Sequence, residues 1–414
     1  MNNLKNKKDQ EYVLRAKEVI PGTMYGHMSM QSMQRRMPSG YPQFFERAED
    51  CRLWDVDGNE YIDFMSAYGP MILGYQHPVV EVAARRQSSK LETASGPAPV
   101  MVELAERLVE QISHAKWAMF VKNGNDATTT CITIARAATR RKVILLAENA
   151  YHGSMPWCTP NQEGVVEGDR AHLLYYQYNH VESLLEAAER CKQDLAGIVV
   201  SAFKHDVRVD QEMPTLEFAK AARQLCDANE AALILDDVRA GLRLSLDASW
   251  PLLGIQPDLT AWGKALANGL SLSAVTGNEN FRQAAASIFV TGSFWYQASP
   301  MAAALATLTL LEEAKAPEYL EKIGNQWRLG LSEQSQYHGI PIRQTGPVQM
   351  PMVLFEDDPD FEKGFQFCLV ALEEGVYLHP WHNWFLSLAH TSETIEKALE
   401  ATNHAFEKLA QSQK

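Results

Sequence analysis

The chain reads as an α/β protein, with a large, doubly wound, mostly parallel sheet domain and a smaller α+β domain built from its two ends. Three observations predict this. Short apolar runs alternate with helical stretches from about residue 100. Turn residues join two short strands near residue 55, and the pattern changes character after residue 313.

The N-terminal segment 9–20 has the spacing of an amphipathic helix, which Pro21-Gly22 ends. Residues 23–45 are rich in Met, Gln, Ser, Gly and Pro and read as an irregular arm. Arg52-Leu-Trp-Asp and Glu60-Tyr-Ile-Asp-Phe read as paired strands, because Asp55-Val-Asp-Gly-Asn between them supplies tight-turn residues. Strands are then expected at 117–121, 143–146, 173–176, 197–200, 232–235 and 259–262. These runs lack polar alternation, as strands covered by helices on both faces do. Helices are expected at 100–111, 127–139, 181–191, 216–229, 281–287 and 300–313. Residues 314–414 read as helix, strands near 342–344 and 352–355, another helix, a strand at 377–378 and a long last helix. The implied organisation is 1–70 as arm and part of the small domain, 71–312 as the large domain, and 313–414 as the rest of the small domain.

Composition excludes several classes of function. The 414 residues carry 38 Lys and Arg against 51 Asp and Glu, a net charge of −13, and the basic residues do not cluster. A nucleic-acid surface needs such clusters, so no nucleic-acid partner is expected. No apolar run approaches the roughly 20 residues needed to span a bilayer, so no membrane partner is expected. The polar N-terminus lacks a signal-peptide core, and the six cysteines form no CxxC pair. Reduced thiols in a cytoplasmic protein are the expectation.

Three segments after strands carry chemistry, because ligands bind at strand ends in such sheets. Lys122-Asn123-Gly124-Asn125-Asp leads into a helix. Such a turn cradles phosphate on its N–H groups, or simply caps the helix. Asp236-Asp237-Val238-Arg239 follows an apolar strand. An acid there can bind metal, act as a base, hold a protonated ring nitrogen, or cap a helix. No His stands near these acids in sequence, so no metal is expected. Gly263-Lys264-Ala sits in an apolar stretch. Burial lowers a lysine's pKa and frees its amine for a Schiff base; the bland reading is a snorkelling surface lysine. The acid precedes the lysine by 264 − 236 = 28 residues, room for another helix and strand. Pyridoxal phosphate (PLP) needs all three: a lysine for its aldehyde, an acid for its pyridine nitrogen and a cradle for its phosphate.

Several further pieces carry a resemblance: Leu53-Trp-Asp-Val-Asp-Gly-Asn-Glu-Tyr-Ile-Asp, Tyr68-Gly-Pro, Tyr151-His152-Gly, Gly375-Val-Tyr-Leu-His-Pro and Leu388-Ala-His-Thr. From about Tyr12 to the last helix the chain resembles the class III (fold type I) PLP-dependent aminotransferases, above all their glutamate-1-semialdehyde 2,1-aminomutase-like members. The resemblance implies PLP as cofactor and fold type I. It makes Lys264 the Schiff-base lysine and proton shuttle, with Asp236 at the pyridine nitrogen, Val238 behind the ring and Tyr151 stacked on its front. Asn123, Gly124 and Asn125 would hold the phosphate, with His152 and Arg239 completing the cofactor's surroundings. A homodimer with shared sites is also implied, Gly292 and Ser293 reaching the phosphate of the neighbouring subunit. Arg239 stands where many members have Gln or Met. Its cation could favour an ionised phenolic oxygen or hold a substrate carboxylate, or it could pair outward with Asp237. Tyr25, Tyr68 and Trp295 are the expected substrate contacts, with Tyr296, Trp381 and Trp384 as further aromatic walls; core packing is the alternative for each. The expected activity is transfer of an amino group between an amino acid or amine and a keto acid or aldehyde. An aminomutase or an amino-acid racemase or epimerase is the alternative.

Overall fold

The computed structural model describes residues 6–25, 40–191 and 193–412. Most of the arm expected at 23–45 lies outside these residues. The strands are β1 Phe45–Glu49, β2 Arg52–Asp55, β3 Glu60–Asp63, β4 Trp117–Val121, β5 Val143–Ala147, β6 Leu173–Tyr176, β7 Leu195–Ser201, β8 Ala232–Asp236, β9 Leu259–Trp262, β10 Ser273–Gly277, β11 Ile342–Thr345, β12 Met352–Phe355 and β13 Val376–Tyr377. The helices are α1 Lys7–Val19, α2 Pro78–Ser88, α3 Val100–Gln111, α4 Gly124–Thr139, α5 Val181–Cys191, α6 Leu216–Ala228, α7 Arg282–Ser287, α8 Ala298–Glu313, α9 Ala316–His338, α10 Glu362–Glu373 and α11 Ser392–Ser412.

Among the described residues the large sheet has seven strands in the order β4-β10-β9-β8-β7-β5-β6. Strands β9, β8, β7, β5 and β6 are mutually parallel, and all of β7 and β8 is buried. That burial is the reason their sequences lack polar alternation. Helices α4 and α7 cover one face, and α3, α5, α6 and α8 cover the other. The expected doubly wound α/β fold is therefore present, with one addition. β10 runs antiparallel between β4 and β9. Its Ser273, Thr276 and Gly277 break up the apolar run that marks the other strands.

A second sheet, ordered β1-β2-β3-β13, ties the two ends of the chain together, because β13 pairs parallel to β3 through Val376↔Ile62. Helices α9, α10 and α11 pack beside it, as an α+β unit requires. Strand β1 was not expected, since its exposed residues leave no apolar signature. Among the described residues no helix is long and apolar enough to cross a membrane.

The antiparallel β10 has a positional consequence. Its two neighbours, β4 and β9, run the same way, so β4 through β9 all end on one edge of the sheet. Every segment singled out for chemistry leaves a strand at that edge.

Candidate active site

Two glycines draw the site together. Val238 follows β8, and its side chain lies against the turn after β4 and the turn after β9. A Cβ at Gly124 would stand 2.6 Å from Val238 Cγ1, and one at Gly263 would stand 3.2 Å from the same atom. Only glycine lets these backbones approach so closely. Gly124 and Asn125 form the first turn of α4, with Asn123 as N-cap, so the helix begins three residues before the expected 127. Asn123 N donates to Asp126 Oδ2 at 2.8 Å, and the remaining N–H groups of that turn face the strand-end edge with the positive pole of the helix. Gly153 has φ +129° and packs against Asn125, 2.3 Å from where its own Cβ would be.

Lys264 opens a short 3-10 turn directly after β9, with φ +45°. That conformation is costly for a residue with a side chain and persists only where its surroundings demand it. The side chain is half-buried. Its Nζ donates to Tyr68 O at 2.7 Å and lies 5.8 Å from the centre of the Phe385 ring. Tyr68 lies in a run of positive-φ residues, Ser66, Ala67, Tyr68 and Gly69, that turns this carbonyl toward the amine. Burial pushes the Lys264 pKa down to about 7, and the charges of Arg239 and Arg243 push the same way against Asp236. Lys264 is thus a half-buried amine, not a snorkelling surface lysine.

The neighbouring carboxylates divide their work. Asp236 Oδ2 receives His152 Nδ1 at 2.7 Å, and its Oδ1 accepts from Val238 N at 3.1 Å. The sequence placed no His near Asp236; the fold supplies one from the loop after β5. Asp237 turns away and accepts from Ser249 N at 2.7 Å. Burial raises its pKa to about 7. The outward pairing of Arg239 with Asp237 does not occur. Arg239 Nη1 instead donates to His205 O at 3.0 Å and Asn383 Oδ1 at 2.7 Å.

Tyr151 is half-buried and lies near Arg239. Tyr68 is half-buried, and its ring meets that of His382 edge-on at 5.3 Å. The protomer does not bring every expected residue here. Tyr25 is 82% exposed, Ser293 is exposed, and Trp295 folds over Gly292 on the surface segment before α8. Trp384 is no pocket wall: it packs on Trp327 in the core and donates to His379 O. Trp381 is buried against His379 and Arg208, and Tyr296 is partly exposed. Sequence reasoning missed Arg243, which is 0% exposed and clamps Gly69 O and Leu386 O, each at 2.5 Å. Its one signal was a second arginine a helical turn beyond Arg239, inside the apolar run Ala-Gly-Leu-Arg-Leu. His205, Asp206, His382 and Asn383 were missed as neighbours of the site.

The donor set fits PLP. An amine near neutrality suits an aldehyde, a buried carboxylate suits a pyridinium, and the glycine-opened end of α4 suits a phosphate dianion.

Comparison with known proteins agrees. The family model for class III aminotransferases matches residues 34–409. The aminopentol aminotransferase of Sphingopyxis macrogoltabida is 50% identical over 392 residues, covering 95% of this chain and 92% of its own. Glutamate-1-semialdehyde 2,1-aminomutase 2 of Brevibacillus brevis is 31% identical over 435 residues, covering 98% and 99%. The structure of the FumI protein of Sphingopyxis sp. MTA144, in its PLP internal aldimine form, superposes with a TM-score of 0.95 at 48% identity, covering 98% of this chain and 97% of that one. With a half-buried lysine, a buried acid and a glycine-opened helix end on one edge of a fold type I sheet, this chain belongs to the class III aminotransferases and is a PLP-dependent transaminase.

Proposed function

We propose that the chain takes the amino group from an aliphatic, hydroxylated amine and passes it to an oxo acid or aldehyde, with Lys264 as the residue that captures the cofactor and moves the proton. One observation carries the assignment of roles: Lys264 is a half-buried amine whose Nζ is held by Tyr68 O and whose pKa is pushed to about 7, beside the His152–Asp236 pair. Support for an amine donor comes from the aminopentol aminotransferase at 50% identity. The buried polar groups around Lys264 and Arg239, namely His205, His382 and the half-buried Asp206, suit a donor that carries hydroxyls.

PLP, when bound, supplies an aldehyde for the substrate nitrogen and a ring that accepts electron density from the carbon being deprotonated. The chain supplies the rest. Lys264 Nζ takes the proton from the substrate carbon that bears nitrogen. Asp236 would hold its charge against the pyridine nitrogen, with His152 Nδ1 and Val238 N fixing the carboxylate plane. Asn123, Gly124 and Asn125 would hold the phosphate, and Val238 and Tyr151 the two ring faces. A homodimer in the cytoplasm completes the proposal. Its support is the exposed segment containing Gly292 and Ser293, flanked by Phe289 (92% exposed) and Phe294 (64% exposed), and six free cysteines.

A single-turnover experiment tests the reaction type. Holoenzyme mixed with aminopentol alone should release one oxo product per site as the cofactor takes up the amino group. Hydrogen exchange from solvent into recovered amine, with no oxo product, would instead make the protein a racemase-type enzyme.

The lowered lysine pKa sets a pH profile. Only the neutral amine attacks an aldehyde, so capture of PLP by the cofactor-free protein should accelerate about tenfold per pH unit up to about 7 and level off above it. Stopped-flow absorbance reads this directly. A rate still climbing toward pH 10 would describe an ordinary exposed lysine.

A further inference from the structure

Arg239 is a buried cation without a carboxylate partner. It is 8% exposed, and it forms no ion pair with a described residue. Its two hydrogen bonds, from Nη1 to His205 O and Asn383 Oδ1, go to neutral acceptors. Nε and Nη2 make no hydrogen bond to a described residue, yet neither is sealed away from accessible space. Arg243 offers a contrast. Both of its Nη atoms are spent on backbone carbonyls, and its Nε is sealed without a partner.

Arg239 stands at the reaction pocket: its partner Asn383 follows His382, whose ring meets that of Tyr68 at 5.3 Å, and Tyr68 O accepts from Lys264 Nζ. Its charge acts on Lys264, His205 and His382 alike, and Asp236, Tyr151 and Asp206 act on it. Burial pulls its pKa down to about 10, the mark of a guanidinium short of compensating negative charge. A planar anion that offers two oxygens is what such a guanidinium binds best.

We infer that Arg239 is the docking point for the carboxylate of the oxo-acid amino acceptor, and that Asn383 holds its place while an uncharged amine donor occupies the pocket. Asn383 suits a placeholder. It is 0% exposed, and its Nδ2 donates to Trp384 O at 3.0 Å, which leaves Oδ1 for Arg239. A neutral acceptor satisfies the guanidinium without competing strongly against a carboxylate. An acidic residue there would compete permanently. One pocket can then serve a donor without a carboxylate and an acceptor with one. The inference rests on the proposed transamination.

The test compares matched acceptors, pyruvate and acetaldehyde, which share a methyl carbonyl and differ in the carboxylate. In the holoenzyme, Arg239→Gln should lower the ratio of kcat/KM for pyruvate over acetaldehyde by about 10–100-fold. Damage common to both acceptors cancels in the ratio. If Arg239 served only the cofactor's phenolic oxygen, both acceptors would suffer alike, the ratio would stay within about twofold, and the inference would fall. Asn383→Asp asks the same question with the guanidinium kept, and serves if Arg239→Gln cannot retain PLP. It should depress the ratio at least about tenfold, and an unchanged ratio overturns the inference. Calorimetric titration of holoenzyme with propionate, which cannot react, gives a reading free of turnover. Propionate should bind the parent protein at least about tenfold more tightly than Asn383→Asp. Equal binding overturns the docking role. Propionate binding lost in the variant, in a protein that fails to transaminate, would sink the proposed reaction alone.

Discussion

Lys264→Ala is expected to lower turnover by about 10⁴-fold or more, the upper range for loss of a positioned proton-transfer group. In the proposed roles, the substitution removes both the amine that captures the aldehyde and the base that moves the substrate proton. Among the described residues Lys122, which directly precedes the α4 turn, is committed to Ser271 O at 3.0 Å and Gln297 Oε1 at 2.9 Å. Lys264→Arg is the informative companion. It keeps a donor for Tyr68 O but has no lone pair at any usable pH, so it should be equally inactive. The measurements are kcat with saturating donor and acceptor, and the mass of protein reduced with borohydride. Parent protein should gain one cofactor mass on the peptide containing Lys264. A variant that retained a tenth of the turnover, or the same reducible adduct, would remove Lys264 from the mechanism.

The sequence made Lys264 visible because it is the one charge in the apolar run from Leu259 to Leu266. Such a charge is either misplaced or functional. Strands β7 and β8 were legible for a related reason: helices cover both faces, and polar alternation disappears. Strand β10 was not legible, because its partners tolerate Ser, Thr and Gly. Ser273 and Thr276 bond inward, to Lys122 O and toward His114, in place of apolar packing. Helix α2 also escaped notice, since only Val80 and Ala84 of it are buried. The site's second tier depends on contacts that sequence spacing cannot reveal. His152 meets Asp236 across 84 residues, and Arg239 meets Asn383 across 144. Aromatic character misled in the segment 381–386. Trp384 looked like a wall, but its indole N–H needs the His379 carbonyl, and that bond turns it into the core. Asn383 beside it, the least conspicuous residue of the segment, is the one that reaches the pocket's cation.

Asp236→Asn is expected to lower turnover by about 100–1000-fold while leaving the fold nearly as stable. The side chain keeps its shape, and Val238 N still finds an oxygen to donate to. His152 adapts, because its ring can change tautomer and accept at Nδ1 from the new amide. What is lost is the negative charge. Breaking a buried charge pair by removing one partner costs about 3–5 kcal/mol, and every 1.4 kcal/mol is a factor of ten, which sets the scale of the loss. Asp237→Asn is the control. That carboxyl is already driven toward its neutral form, with a pKa raised to about 7 by burial, and its Oδ2 accepts from Ser249 N. Asparagine there can still accept from Ser249 with its amide oxygen, so turnover should change by less than about threefold. The comparison is strict, because the residues are adjacent on one chain and differ only in where they point. Equal losses in the two variants would mean that the Asp236 charge is not what the pyridine nitrogen requires, and its role would pass to His152 or to bulk packing. A loss confined to Asp236, together with weaker retention of PLP on dialysis, would tie the charge itself to the cofactor.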